Sequence, residues 1–120
     1  MTVPIEERGT FLYEWDLIDQ NNRVVPLAML ETLTLTLYDK LTDDIINTRE
    51  AQSILNVNDG TFNNSGHGSM TFGAADNVIV GDGVREIHIA LFEAVWDTGT
   101  KAKRWELTID VSNMHRVVTP

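Results

Sequence analysis

Histidine is the side chain most often used for acid–base chemistry and metal binding near neutral pH. The sequence has three, His67, His88 and His115, and none stands at ligand spacing from a second histidine or a carboxylate. His88 lies between Ile87 and Ile89, and this alternation predicts that its side chain is on the outer face of a strand. His67 lies in a glycine-rich loop. The histidines therefore predict no metal site and no general base.

Other patterns that carry chemistry are incomplete. Residues 66–69 (GHGS) lack the glycine that a nucleophile elbow has two residues after its serine. Residues 56–61 have a loose likeness to a calcium loop but lack its remaining ligands. The Gly-Asp-Gly at 81–83 lacks the helix and the Lys-Ser/Thr pair of a phosphate cradle. Without any cysteine, thiolate chemistry and disulfides are excluded. We expect no catalytic residue, cofactor or metal, and hence no enzyme.

Aromatic side chains are the remaining candidates for a binding surface. Phe11, Tyr13 and Trp15 recur at every second position, which favours one core-facing side of a strand. Phe92 and Trp96 have the opposite parity to the isoleucines before them. Either a bulge near residues 91–92 rotates that strand, or both aromatic side chains are exposed. If exposed, they are candidate partner contacts.

Composition limits the classes of function. The 120 residues suit one domain with its own core. A formal net charge of −9 repels phosphate backbones, so no nucleic-acid partner is expected. The N-terminus has no basic start followed by an apolar stretch, and no apolar run approaches a membrane span. We therefore expect no signal peptide and no membrane partner.

Strands are the elements predicted to position these side chains. Leucine alternates with threonine over residues 31–39, which is typical of a half-buried strand. Shorter alternating runs occupy 11–19 and 69–72, and two long arms at 84–96 and 102–111 flank a turn. Symmetric pairing of these arms about Gly99 would place six apolar residues on one core face: Ile87, Ile89, Leu91, Leu107, Ile109 and Val111.

A short helical segment is predicted near residues 49–56. This stretch has good helix formers, and Thr48 is a suitable N-cap. Ala51, Ile54 and Leu55 would then face inward. Together with six to eight strands and no βαβ alternation, these features predict an all-β, antiparallel β-sandwich. We expect one domain over residues 1–120 with a core from about 10 to 113.

Four stretches carry a resemblance to a known group of proteins. They are LTLTLYD at 33–39, IHIALF at 87–92 and WELTIDVSN at 105–113, with DIINTREAQSILN between the first two. In this order, over residues 10 to 115, the chain resembles small immunoglobulin-like virion structural proteins of tailed bacteriophages. It is distantly similar to the N-terminal domain of baseplate upper proteins. The resemblance implies an immunoglobulin-like sandwich and a structural role at the head, neck, tail or baseplate. Because the chain ends soon after the last strand, a small accessory, connector or decoration subunit is favoured.

Two functions follow from this reading. The first is a non-enzymatic virion subunit, made in the bacterial host cytoplasm and then located in the virion. Its expected partners are other virion proteins and copies of itself. The alternative is a carbohydrate- or ligand-binding module that uses Phe92 and Trp96 as an exposed platform.

Overall fold

The computed structural model describes residues 1–113. This part of the chain contains eight strands and two 3-10 turns, at Leu27–Met29 and Ala74–Asp76. The strands are β1 (Thr2–Glu6), β2 (Phe11–Asp16), β3 (Leu30–Asp39), β4 (Gln52–Ser53), β5 (Gly60–Phe62), β6 (His67–Phe72), β7 (Arg85–Trp96) and β8 (Lys101–Ser112).

The strands form two sheets. One has the order β1-β8-β7-β3-β4 and the other the order β2-β6-β5. Neighbours pair antiparallel except β1, which runs parallel to β8. Each sheet contributes one apolar face to a shared core, as a sandwich requires. The predicted all-β, sandwich-like fold is confirmed.

The alternation in β3 is the clearest agreement between sequence and structure. Leu33, Leu35 and Leu37 have no exposed surface, whereas the threonines between them are half-buried on the opposite face. In β2, Trp15 is likewise buried, while Glu14 is exposed. A period of two is therefore sufficient to orient these strands.

The β7–β8 hairpin has a different register from the predicted one. Trp96 pairs with Lys101, so the loop has four residues and its centre lies between Thr98 and Gly99. Asp97 and Thr98 have positive φ angles of 57° and 53°, and the Thr100 N–H donates to the Asp97 carbonyl at 3.1 Å. The one-residue difference exchanges the two faces of β7.

The exchange corrects the predicted core of the hairpin. The side chains of β7 that enter the core are those at even positions: Ala90, Phe92, Ala94 and Trp96. Leu107, Ile109 and Val111 of β8 are buried as predicted. Ile87, Ile89 and Leu91 lie outside that core, although only 5% of Ile89 is exposed.

Residues 49–56 do not form helical turns. Thr48 and Ala51 have φ angles of 55° and 45°, and the chain continues as β4, which pairs with β3. Left-handed residues cannot start a right-handed helix, so the helix-forming composition has no effect here. Ile54 is buried and Leu55 half-buried, as predicted, but Ala51 is exposed.

Gly68 in β6 lies directly beneath the Trp15 indole. A Cβ atom at Gly68 would lie 2.4 Å from Trp15 Cε2. We expect Gly68→Ala to lower the free energy of unfolding by about 1–3 kcal/mol, because the indole must shift within a packed core. Chemical denaturation followed by tryptophan fluorescence measures this loss. Gly73→Ala is the matched control, since a Cβ there meets nothing within 4 Å, and an equal loss in both variants would contradict the expectation.

Candidate functional site

An aromatic cluster joins the two sheets. Phe92 of β7 stacks on Trp105 of β8, with ring centroids 5.3 Å apart and an interplanar angle of 9°. From the other sheet, Trp15 lies 5.2 Å from Phe92 and 5.8 Å from Trp105, and Tyr13 lies 5.4 Å from Phe92. Aromatic pairs at these separations contribute beyond their buried area.

The structure buries both aromatic residues that the sequence offered as partner contacts. Phe92 has no exposed surface and Trp96 is 4% exposed. They face inward because the hairpin register places even positions of β7 in the core, and no bulge interrupts the β7–β8 pairing. The alternative in which Phe92 and Trp96 are exposed is therefore wrong, and the carbohydrate-binding function loses the surface on which it depended.

The candidate site lies instead beside β8. Strand β1 pairs with β8 only from Thr108 to Ser112, so the half of β8 nearer the hairpin loop has its outer edge uncovered by β1. Two cavities lie along this half. One, of 260 Å³, is lined by Tyr13, Trp15, Asp16, Leu17, Lys103 and Trp105. The other, of 470 Å³, is lined by Ile18, Asp19, Gln20, Trp96 and residues 100–103. Lys103 borders both cavities, and the two cavities together are termed the groove.

Backbone groups of β8 point out from this edge. The Thr108 N–H donates to the Met1 carbonyl at 3.2 Å, and the Ser112 carbonyl accepts from the Glu7 N–H at 2.8 Å. Since N–H and C=O directions alternate along a strand, the same outward direction holds for Ala102, Arg104 and Glu106. Within residues 1–113, no strand pairs with these three residues on that side. They present an open strand edge.

The open edge, Lys101–Leu107, differs in charge from the rest of the chain. It holds three of the nine Lys and Arg residues and only one of the eighteen acidic residues. Lys101 lies 3.9 Å from Asp97, and Arg104 lies 3.2 Å from Glu93 on the outer face of the sheet. Lys103 projects toward the groove. The edge is thus a basic strip on an acidic protein.

Trp15 and Trp105, which line the smaller cavity, have buried indole N–H groups. Trp15 Nε1 and Trp105 Nε1 are buried, and neither has a hydrogen-bond partner within residues 1–113. Trp15 is 8% exposed, so its donor is more than nine-tenths buried. Buried donors of this kind are rare and favour a nearby acceptor. The groove therefore combines aromatic walls with the cation of Lys103.

His67 is in contact with two carboxylates on β2. Its Nδ1 lies 3.1 Å from Asp16 Oδ1, and its Nε2 lies 3.5 Å from Glu14 Oε1. These hydrogen bonds raise the pKa of His67 above the ordinary value of 6.5, with Asp16 having the larger effect. His67, which was predicted to lie in a loop, is the first residue of β6.

We expect the His67 ring to titrate above pH 6.5, because the carboxylates stabilise the imidazolium. The contacts of His67 stabilise the fold fully at pH values below the pKa that His67 has in the unfolded chain. This stabilisation is lost as the pH rises through the pKa of His67 in the folded protein. NMR titration of the ring protons measures this pKa. Asp16→Asn should lower the pKa, whereas a titration unchanged by that substitution would show that the contact is absent in solution.

His88 is buried and does not lie on the outer face that the sequence predicted. It has no exposed surface, and its Nε2 lies 2.8 Å from Glu86 Oε1. The cause is again the hairpin register, which turns even positions of β7 inward. Burial raises the pKa of Glu86, but hydrogen bonds from His88 and from the N–H groups of Val80 and Gly81 outweigh it and hold that pKa below its usual value.

The sequence did not indicate a buried ion pair between Arg49 and Asp76. Arg49 Nε lies 2.5 Å from Asp76 Oδ1, and these side chains are only 4% and 1% exposed. The remaining guanidinium donors reach Gln52, the Asn58 carbonyl, Asp59 and the second Asp76 oxygen. Every donor is used within the protein, so this cluster holds loops together and offers nothing to a ligand.

Within residues 1–113, no group of three or more His, Cys, Asp or Glu side chains is placed to hold a metal ion. Over the same residues, no helix has the length and apolar character needed to span a membrane. His115 lies outside the described residues. Comparisons with protein families, curated proteins and solved structures find no match for this chain.

Proposed function

We propose that this chain is a non-enzymatic structural subunit of a tailed-phage virion, an accessory, connector or decoration protein that joins neighbouring proteins. The observation that carries the proposal is the open edge of β8. An unpaired strand edge beside an aromatic groove is a surface suited to protein assembly, since backbone hydrogen bonds and side-chain pockets act together there. Its partners are other virion proteins, and its place is the assembled particle.

The strand order supports the proposed family of folds. If β2, β3 and β4 are lettered B, C and C′, β5 and β6 are D and E, and β7 and β8 are F and G, the sheets read B-E-D and G-F-C-C′. This is the strand order of variable-type immunoglobulin domains. The B–F disulfide of antibody domains is replaced here by contact between Trp15 and Phe92, whose ring centroids lie 5.2 Å apart.

The proposal is tested on purified particles of the phage that encodes this chain. Mass spectrometry of gradient-purified virions should find the chain in a fixed ratio to the major capsid protein, because a structural subunit occupies symmetric positions. Immunogold labelling should then place it on the head, neck, tail or baseplate. Recovery of the chain only from the soluble lysate, with none in intact particles, would refute the proposed function.

A further inference from the structure

We propose that Asp82 is a site of spontaneous isomerisation to isoaspartate. The reaction takes place at the peptide bond between Asp82 and Gly83, in the loop that leads from the second 3-10 turn to β7. It needs neither an enzyme nor a partner protein. The modification goes beyond the proposed function, and its test does not depend on that function.

The chemistry belongs to an aspartate that is followed by glycine. The glycine nitrogen attacks the side-chain carboxyl carbon of the aspartate and forms a C–N bond, while one carboxyl oxygen leaves as water with the amide proton and the carboxyl proton. Water then adds to either carbonyl carbon of this succinimide and opens the ring to aspartate or isoaspartate. Glycine favours ring closure, because it has no Cβ atom to oppose the close approach of its backbone.

The sequence contains two such pairs, Asp59–Gly60 and Asp82–Gly83. Ring closure requires the carboxyl carbon and the next backbone nitrogen to come within about 3–3.5 Å in the right orientation. The local sequence offers this chemistry at both pairs. The fold decides which of them can reach the reactive geometry.

The fold restrains Asp59–Gly60. Asp59 Oδ2 accepts a hydrogen bond from Arg49 Nη2 at 3.1 Å, which directs the carboxylate toward the guanidinium group. The Gly60 N–H donates to the Val57 carbonyl at 3.0 Å, so the attacking nitrogen is also engaged. Gly60 is buried at the start of β5, where an added Cβ atom would collide with Ile54. We therefore expect little isomerisation at Asp59.

The side chain of Asp82 has no such restraint. Within residues 1–113 its carboxylate makes no hydrogen bond or ion pair, and Gly81, Asp82 and Gly83 are all exposed. An exposed side chain changes rotamer within nanoseconds, so the carboxyl carbon repeatedly samples positions near the next backbone nitrogen. A Cβ atom at Gly83 would meet nothing closer than 3.7 Å, which shows that there is space for a ring at this peptide.

The product would alter a loop that is anchored on both sides. The Gly81 N–H donates to Glu86 Oε2 at 2.6 Å, and the Val84 carbonyl accepts from the Asn113 N–H at 2.7 Å. Isoaspartate routes the main chain through the side-chain methylene and lengthens it by about 1.5 Å between these anchors. We therefore expect faster amide hydrogen exchange at Gly81 in the isomerised chain.

The experiment ages the full chain in neutral buffer at physiological temperature and measures isoaspartate over time. Trypsin cleaves after Arg49 and Arg85 and at no position between them, so both Asp–Gly pairs lie in one peptide, residues 50–85. Electron-transfer fragmentation of this peptide distinguishes isoaspartate at position 59 from isoaspartate at position 82. We expect isoaspartate to accumulate several-fold faster at Asp82 than at Asp59.

Two controls separate the effect of the fold from that of the local sequence. In urea that unfolds the chain, the two rates should become similar, because Arg49 no longer holds Asp59. Gly83→Ala should slow the reaction at Asp82 several-fold and leave the rate at Asp59 unchanged. This variant should fold, since Gly83 has space for a Cβ atom and its φ angle is not left-handed.

Three results would overturn the proposal. They are equal rates at Asp59 and Asp82 in the folded chain, a slower rate at Asp59 that persists in urea, and a rate at Asp82 that Gly83→Ala leaves unchanged. Unchanged exchange at Gly81 after isomerisation would refute the expected effect on the loop. The presence or absence of the chain in virions affects none of these measurements, so failure of the proposed function and failure of this proposal are distinguishable.

Discussion

Replacing Arg49 with alanine is expected to lower the free energy of unfolding by about 3–5 kcal/mol. The substitution leaves the Asp76 carboxylate, only 1% exposed, without its cation. The Asn47 amide at 2.9 Å and the Gly73 N–H at 2.9 Å remain as donors, but neither carries a charge. A buried carboxylate with only neutral partners is costly, since burial removes its hydration.

Urea denaturation followed by tryptophan fluorescence measures this loss. Arg85→Ala is the matched control, because Arg85 also binds a carboxylate through two nitrogens, at 2.8 and 2.7 Å from Asp110. That pair is at the surface, with Arg85 65% exposed, so its loss should cost far less than the loss of the buried pair. Similar losses in the two variants would contradict the role given to the buried pair.

Phe92→Ala is expected to cost about 3–5 kcal/mol, since it removes the residue at the centre of the aromatic cluster. Phe92 contacts Tyr13 and Trp15 across the sandwich and Trp105 on the neighbouring strand. The cavity left behind is bordered by both sheets, which limits how far the core can collapse around it. The variant therefore measures the aromatic contact that joins the two sheets.

Leu91→Ala, on the opposite face of β7 from Phe92, tests the register of the β7–β8 hairpin. Leu91 is half-buried and lies outside the core, so its truncation should cost about 1 kcal/mol or less. If the arms paired symmetrically about Gly99, the order of the two effects would be reversed. A larger loss for Leu91→Ala than for Phe92→Ala would therefore reject the observed register. Equilibrium denaturation of both variants under one condition makes the comparison.

The sequence by itself was sufficient for the longer strands and the class of fold. Alternation of leucine and threonine orients β3 without reference to any neighbour, because successive side chains point to opposite faces of an extended chain. The same argument placed Phe11, Tyr13 and Trp15 on one side of β2. Strand β1 was missed, since five residues that include Pro4 give little pattern, and proline is tolerated there only because the strand lies at an edge.

Tertiary structure decided the register of the hairpin and the position of Arg49. The first arm of the hairpin carries apolar residues at odd and even positions, so its periodicity was compatible with either face. The loop, in which Asp97 and Thr98 have left-handed backbone conformations, sets the register of the hairpin. That register buries His88, Phe92 and Trp96. Arg49 was assigned to a helix because its partner Asp76 lies 27 residues away in the chain.

The candidate site depends on the tertiary structure most of all. The basic residues at 101–104 are visible in the sequence. That this stretch forms an open edge depends on where β1 stops along β8 and on how far the second sheet stands from it. Local pattern records which side of a strand is apolar. It contains no information on which strand edges remain unpaired, because that is decided by contacts between residues far apart in the chain.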